Sequence, residues 1–139
     1  MSVAGQSVAT GRCLCGGFRF VARGEPLARV YCHCVDCRRS SGAPVSALVG
    51  YDADQVEYTG DEPKKYRSSE SVTRAFCETC GGTVSYEDER LPGETYLHVG
   101  LFDEPDGFPP ATHSWHSQSM SWLRIDDDLP RHEKSSKPR

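Results

Sequence analysis

A mostly β fold with little helix is predicted by three features of this 139-residue chain. Short stretches rich in β-branched and aromatic residues recur with partial period-two alternation. Nine prolines and thirteen glycines supply turns between them. No segment carries the apolar spacing of a long amphipathic helix. In chain order, residues 1–10 read as a flexible N-terminus. The first strand is expected at 17–22, where Phe18 and Phe20 alternate with polar neighbours. Stretches 27–31 and 45–51 follow, and between them only 35–41 resembles a helical turn. Further strands are expected at 55–58, 64–68, 72–76, 83–87, 95–102 and 122–125. Residues 131–139 (RHEKSSKPR) are polar and charged and read as a flexible tail. A single domain over 11–130 remains, as the length implies.

Composition excludes several classes of function. Hydrophobic residues at 37 % and charged residues at 26 % describe a folded domain rather than a disordered chain. Sixteen basic against twenty acidic residues give a formal charge of −4 and a pI near 5.7, so neither nucleic acid nor an anionic membrane is an expected partner. Apolar runs such as 45–49 fall far short of the ~20 residues of a membrane span. The opening MSVAGQSVATG lacks the basic and apolar regions of a secretory leader, and a cytoplasmic protein is expected.

The seven cysteines are the exceptional count: Cys13, Cys15, Cys32, Cys34, Cys37, Cys77 and Cys80. An odd number without a leader argues against a disulfide framework. The spacings C-x-C, C-x-C-x-x-C and C-x-x-C place sulfurs too close in sequence for easy bridges but suit two thiolates on a tight turn gripping one ion. Ligand softness and tetrahedral preference favour zinc, although the ligand set alone leaves iron open. A closed structural site takes four ligands, and seven minus four leaves three, the number that holds a catalytic ion with an open position. Spacing does not dictate the grouping. Cys32, Cys34 and Cys37 could share one ion while Cys13/Cys15 pair with Cys77/Cys80. Alternatively His33 or a distant histidine closes the central cluster. Because His33 lies between two proposed ligands, its side chain is expected to point away from their ion. A small β protein of this composition is expected to need metal: structural zinc contributes an apparent ~10–16 kcal/mol against a domain stability of about 5–15 kcal/mol.

Four motifs carry a resemblance: GRCLCGGFRF at 11–20, YCHCVDCRRSSGAP at 31–44, RAFCETCGGTVSYE at 74–87 and HSWHSQSMSWLRIDDDLPRH at 113–132. In this order and at these intervals they resemble the glutathione-dependent formaldehyde-activating enzyme family, also called the centromere-protein-V/formaldehyde-activating domain. The resemblance implies a β-tent of three small antiparallel sheets knit by zinc, a fold shared with a small zinc-containing guanine-nucleotide-exchange chaperone. It also implies two zinc ions per chain, a structural one on Cys13, Cys15, Cys77 and Cys80 and a second on Cys32, Cys34 and Cys37 with its fourth position open. The implied activity is carbon–sulfur bond chemistry, glutathione adding to formaldehyde or the reverse, with glutathione as the thiol co-substrate. The chain looks shorter than the family's glutathione-using members.

Three thiolates on Zn²⁺ leave a site of charge −1, a weak Lewis acid that still holds a thiol as thiolate at neutral pH. His33 is a candidate proton donor, and Arg38 or Arg39 could offset the local negative charge. Arg38, His113 and Trp115 are candidate substrate contacts; the plainer readings are a solvent-facing turn residue for His33, a surface or charge-balancing arginine for Arg38 and core packing for Trp115. His113 and His116 have ligand-like spacing, but on a strand they would face opposite sides. Asp126, Asp127 and Asp128 read as a solvated turn. Lys64, Lys65 and Arg67 could attract a carboxylated substrate but fit an exposed strand edge better. Gly16/Gly17 and Gly81/Gly82 follow their clusters as the positive-φ turns of metal knuckles. Seven thiolates and two divalent ions would take the formal charge from −4 to −7. Competing with an enzyme are a non-catalytic zinc-stabilised binding or chaperone module and a thiol or metal sensor with Cys32 or Cys34 oxidisable. Oligomeric state is not legible.

Overall fold

A computed structural model of the protein describes residues 7–136. Within them the chain forms ten strands and one helix: β1 (Val8–Arg12), β2 (Phe18–Arg23), β3 (Ala28–Cys32), α1 (Val35–Ser41), β4 (Ser46–Asp52), β5 (Val56–Gly60), β6 (Lys64–Arg67), β7 (Val72–Phe76), β8 (Thr83–Asp88), β9 (Glu94–His98) and β10 (Thr112–Ser114). Among the described residues, no helix is long and apolar enough to cross a membrane.

The expected mostly β class is observed, with its strands in two hydrogen-bonded sheets. The smaller has the order β1-β2-β5 and the larger β10-β3-β4-β9-β8-β7-β6. Three separate antiparallel sheets were the expectation. The large sheet does contain a weak seam, because β8 and β9 share only the rungs Ser85↔Leu97 and Tyr86↔Tyr96, and this seam makes two groups of strands continuous. One pairing is parallel, β10 against β3, with Ser114 opposite Cys32.

β4 is buried on both faces and sits between two apolar clusters. Val49 and Tyr51 pack with Phe18, Phe20, Leu97 and Phe102 in the larger cluster, which Cys13 and Cys77 border. Leu48 packs with Val30, Leu91 and Tyr96 in the smaller one, which contains Cys32 and Cys37. Each cysteine group is thus anchored to a different apolar cluster.

Four expectations need correction. Residues 8–10 of the expected flexible N-terminus are part of β1, and the inner part of that strand packs closely: a side chain at Gly11 would collide with the Phe20 ring and the Leu101 carbonyl. Residues 1–6 of that stretch lie outside the described residues. The expected strand 95–102 ends at His98, and Val99–Leu101 form a 3-10 turn. That turn delivers Phe102 to the core, with ring centroids 5.0 Å from Phe20 and 4.6 Å from Phe108. Residues 122–125 are not a strand; the Arg131 guanidinium, rather than a neighbouring strand, satisfies the carbonyls of Ile125, Asp127 and Leu129. Finally, the expected tail is tied down over its described part. Lys134 and His132 carbonyls accept from the Trp115 and His116 amides, and the His132 amide donates to His113. Residues 137–139 lie outside the described residues.

Candidate metal centre

Cys13 and Cys15 lie on the turn between β1 and β2, and Cys77 and Cys80 on the turn between β7 and β8. The two turns have the same construction. Gly16 and Gly81 take left-handed φ values of 79° and 76°, and their amides donate to the Cys13 and Cys77 carbonyls at 3.0 and 2.7 Å. An L side chain is disfavoured at such φ, which explains the glycine after each cysteine pair. All four sulfurs lie within 4.8 Å of one another, with Cys13–Cys15 and Cys15–Cys77 at 3.6 Å. Tetrahedral zinc with Zn–S of ~2.3 Å has S···S edges of about 3.8 Å, so this group fits a closed four-thiolate site. Backbone amides face the sulfurs as well. Those of Cys15 and Gly82 hold the Cys80 thiol down at about 6.

Cys32, Cys34 and Cys37 come from one continuous run. β3 delivers Cys32, Cys34 caps the N-terminus of α1, and Cys37 lies inside that helix. The Cys37 amide donates to Cys34 Sγ at 3.3 Å, so the thiol takes the place usually held by a Ser or Asp cap. Cys32 Sγ lies 3.3 Å from Cys34 Sγ, and all three sulfurs are within 4.8 Å of one another. Hydrogen bonds from the Cys32 and Cys37 thiols hold Cys34 at about 2, while the same crowding, with burial, drives the Cys32 thiol strongly upward. Without a cation only one of three such sulfurs ionises readily; a divalent ion removes that conflict. The donor set therefore fits a metal, and so do the distances.

A cavity of about 250 Å³ opens onto these three cysteines. Its wall includes Val72, Arg74, Leu91, Tyr96, Trp115 and Gln118, and none of the four cysteines of the other group.

Of the residues expected to touch substrate, Trp115 lines the cavity and Arg38 and His113 do not. Trp115 has a left-handed φ of 55°, which ends β10 and turns the chain back. This reversal overrides the strand periodicity that would separate His113 from His116, and their rings meet edge to face at 5.7 Å. His33 is not a cavity residue either. It is 3 % exposed, with Nε2 2.8 Å from His113 Nδ1, and His113 Nε2 lies 3.0 Å from the Asp127 carboxylate. The residue expected to donate a proton in the cavity thus turns its Nε2 toward His113, and it is not among the residues that line the cavity. Burial, followed by the field of His113, lowers the His33 imidazole to about 4. Arg39 lines a separate groove across α1. Lys64, Lys65 and Arg67 lie on β6, the exposed edge of the large sheet. Asp127 is no solvated turn residue: it accepts from His113, from the Leu129 amide and from Arg131.

Sequence reading missed Arg74, Tyr86, Tyr96 and Gln118. The Val35 amide at the start of α1 donates to Gln118 Oε1 at 2.8 Å, which pins the helix from a remote segment. Arg74 left one signal, a charged residue on the side of the apolar strand VTRAF that carries its buried positions.

Over residues 8–118 the chain is similar to the family described as glutathione-dependent formaldehyde-activating enzyme. Among curated proteins, none matches. Among solved structures it is similar to the crystal structure of a Rhodobacter sphaeroides protein, with a TM-score of 0.57 and 17 % identity over 88 % of this chain and 98 % of that one. At that identity the likeness concerns the fold alone.

Proposed function

Because the chain belongs to the glutathione-dependent formaldehyde-activating enzyme family, we propose that it is a zinc-dependent enzyme of the carbon–sulfur lyase type. It joins a small thiol to a small carbonyl compound, or cleaves the adduct. Glutathione and formaldehyde are the pair that the family's description supplies. One observation carries the reading: the sulfurs divide four and three, and the cavity opens onto the three. Four thiolates complete a tetrahedral ion, whereas three leave a position for a ligand.

Zinc held there would keep a substrate thiol as thiolate at neutral pH, where a free thiol with pKa near 8.5 is only a few per cent ionised. The chain's own residues bind and shield. Cys32, Cys34 and Cys37 present their sulfurs from a strand end and a capped helical turn. Val72, Leu91, Tyr96 and Trp115 give the cavity an apolar wall that limits water around the reacting carbon. In the overall reaction a sulfur–carbon bond forms, the carbonyl π pair passes to oxygen, and the proton lost by the thiol ends on that oxygen. No redox partner is required. Seven cysteines, none of them in a disulfide, suit a reducing compartment such as the cytoplasm.

The test is steady-state turnover of glutathione with formaldehyde by the wild type and by Cys34→Ser. Removing a direct ligand should cost at least the upper end of the ~10–100-fold seen when a ligand's supporting partner is removed. The four-cysteine ion should be retained. Unchanged kcat/KM in Cys34→Ser would refute the proposal.

A further inference from the structure

Arg74 is 9 % exposed and projects from β7 toward α1. Its Nη1 donates to Ser40 Oγ at 3.1 Å and lies 3.7 Å from Cys37 Sγ. Its Nε donates to Ser68 Oγ at 3.3 Å, and its guanidinium carbon lies 5.2 Å from the Tyr86 ring centroid. Among the described residues no carboxylate pairs with it. A buried guanidinium without an anionic partner is costly, and two hydroxyls and a ring face do not cancel a full charge. Cys37 Sγ, one sulfur of the three-cysteine group, lies 3.7 Å from the Arg74 Nη1.

We infer that Arg74 is a positioning residue for that group: its guanidinium is the counter-charge of the thiolate set and holds Cys37 Sγ toward the shared ion. The inference rests on the reading that Cys32, Cys34 and Cys37 hold a divalent cation. Three thiolates and one divalent ion carry −1, and Arg74 brings the assembly to zero. An incoming fourth thiolate then meets a neutral site rather than an anionic one. The same side chain borders the cavity, so the compensation acts on the side from which substrate arrives.

The experiment is a Co²⁺ titration of the full chain, followed through sulfur-to-cobalt charge-transfer absorption under chelator competition. Wild type should take up two ions. Arg74→Met keeps the length of the side chain but not its charge. It should keep the ion on Cys13, Cys15, Cys77 and Cys80 and bind the second about 10–100-fold more weakly, the usual cost of losing a ligand's supporting partner. Arg74→Lys, which restores the charge without the planar fork, should fall between the two. Equal affinity for the second ion in Arg74→Met and wild type would overturn the inference while leaving the proposed function intact. A wild type that takes up only one ion would overturn both. Should Arg74→Met fail to fold, Arg74→Lys and Ser68→Ala decide the matter, the latter freeing Nε at an exposed site. A second-centre affinity and cobalt spectrum unchanged in both would count against the assignment, and a weakened second ion in either supports it.

Discussion

Asp127 carries the charge that ties the C-terminal segment to the loop between Cys32 and Cys34. Partial burial would raise its carboxyl, but hydrogen bonds from His113, the Leu129 amide and Arg131 prevail and hold it at about 2, below the ordinary 3.8. A carboxylate depressed on folding stabilises the native state above its unfolded pKa and loses that contribution as pH falls through its folded one. Asp127→Asn should therefore melt below wild type at pH 5–7. The gap should narrow from pH 4 downward and nearly close at pH 2. A gap constant from pH 6 to pH 2 would show that charge is not what Asp127 supplies. At this scale the cysteines that could hold metal were legible and their supporting residues were not. A cysteine announces its chemistry by type and spacing. Asp127 looks like its neighbours Asp126 and Asp128, and only its distance from an imidazole separates it from them.

At the scale of elements, the C-terminal segment works as a clasp. Arg131 donates to the carbonyls of Ile125 at 2.9 Å and Leu129 at 2.8 Å and to the Asp127 carboxylate at 2.9 Å. The segment's backbone exchanges hydrogen bonds with His113, Trp115 and His116, next to the cavity wall. Arg131→Ala leaves those carbonyls to water, at roughly 0.5–1.5 kcal/mol per hydrogen bond. The expected outcome is faster amide hydrogen exchange over 113–116 and 129–134 with unchanged protection in β4 and β9. Undiminished protection in the clasp would remove the role given to Arg131. Elements whose partners adjoin them in sequence were readable in advance: α1 spans the expected 35–41, and β7 the expected 72–76. β10 was not readable, since three residues pairing in parallel with a strand about eighty residues earlier leave no local periodicity.

Across the whole molecule, the two cysteine groups have different burdens. The four-cysteine group joins the β1–β2 turn to the β7–β8 turn, so it links the small sheet to the large one. The three-cysteine group draws on residues 32–37 alone and closes no long loop. Chelator should remove the two ions in sequence, the three-cysteine ion first with β structure intact, the four-cysteine ion later with cooperative unfolding. Cys77→Ser should fail to fold, because structural zinc contributes an amount comparable to the whole stability of a domain. Far-ultraviolet circular dichroism during chelation checks the order. A protein still folded after losing both ions would contradict the structural role of the four-cysteine group. The class of fold, most strand positions and the cysteines of the two groups that could hold metal were determined by the sequence itself, because β periodicity and cysteine spacing are local properties written in consecutive residues. The cavity on the three-cysteine group, the buried guanidinium beside Cys37 and the turning of His33 away from that cavity were decided only by tertiary structure. Each depends on which side chains from distant strands meet across a sheet, and that is settled by packing rather than by neighbourhood in the chain.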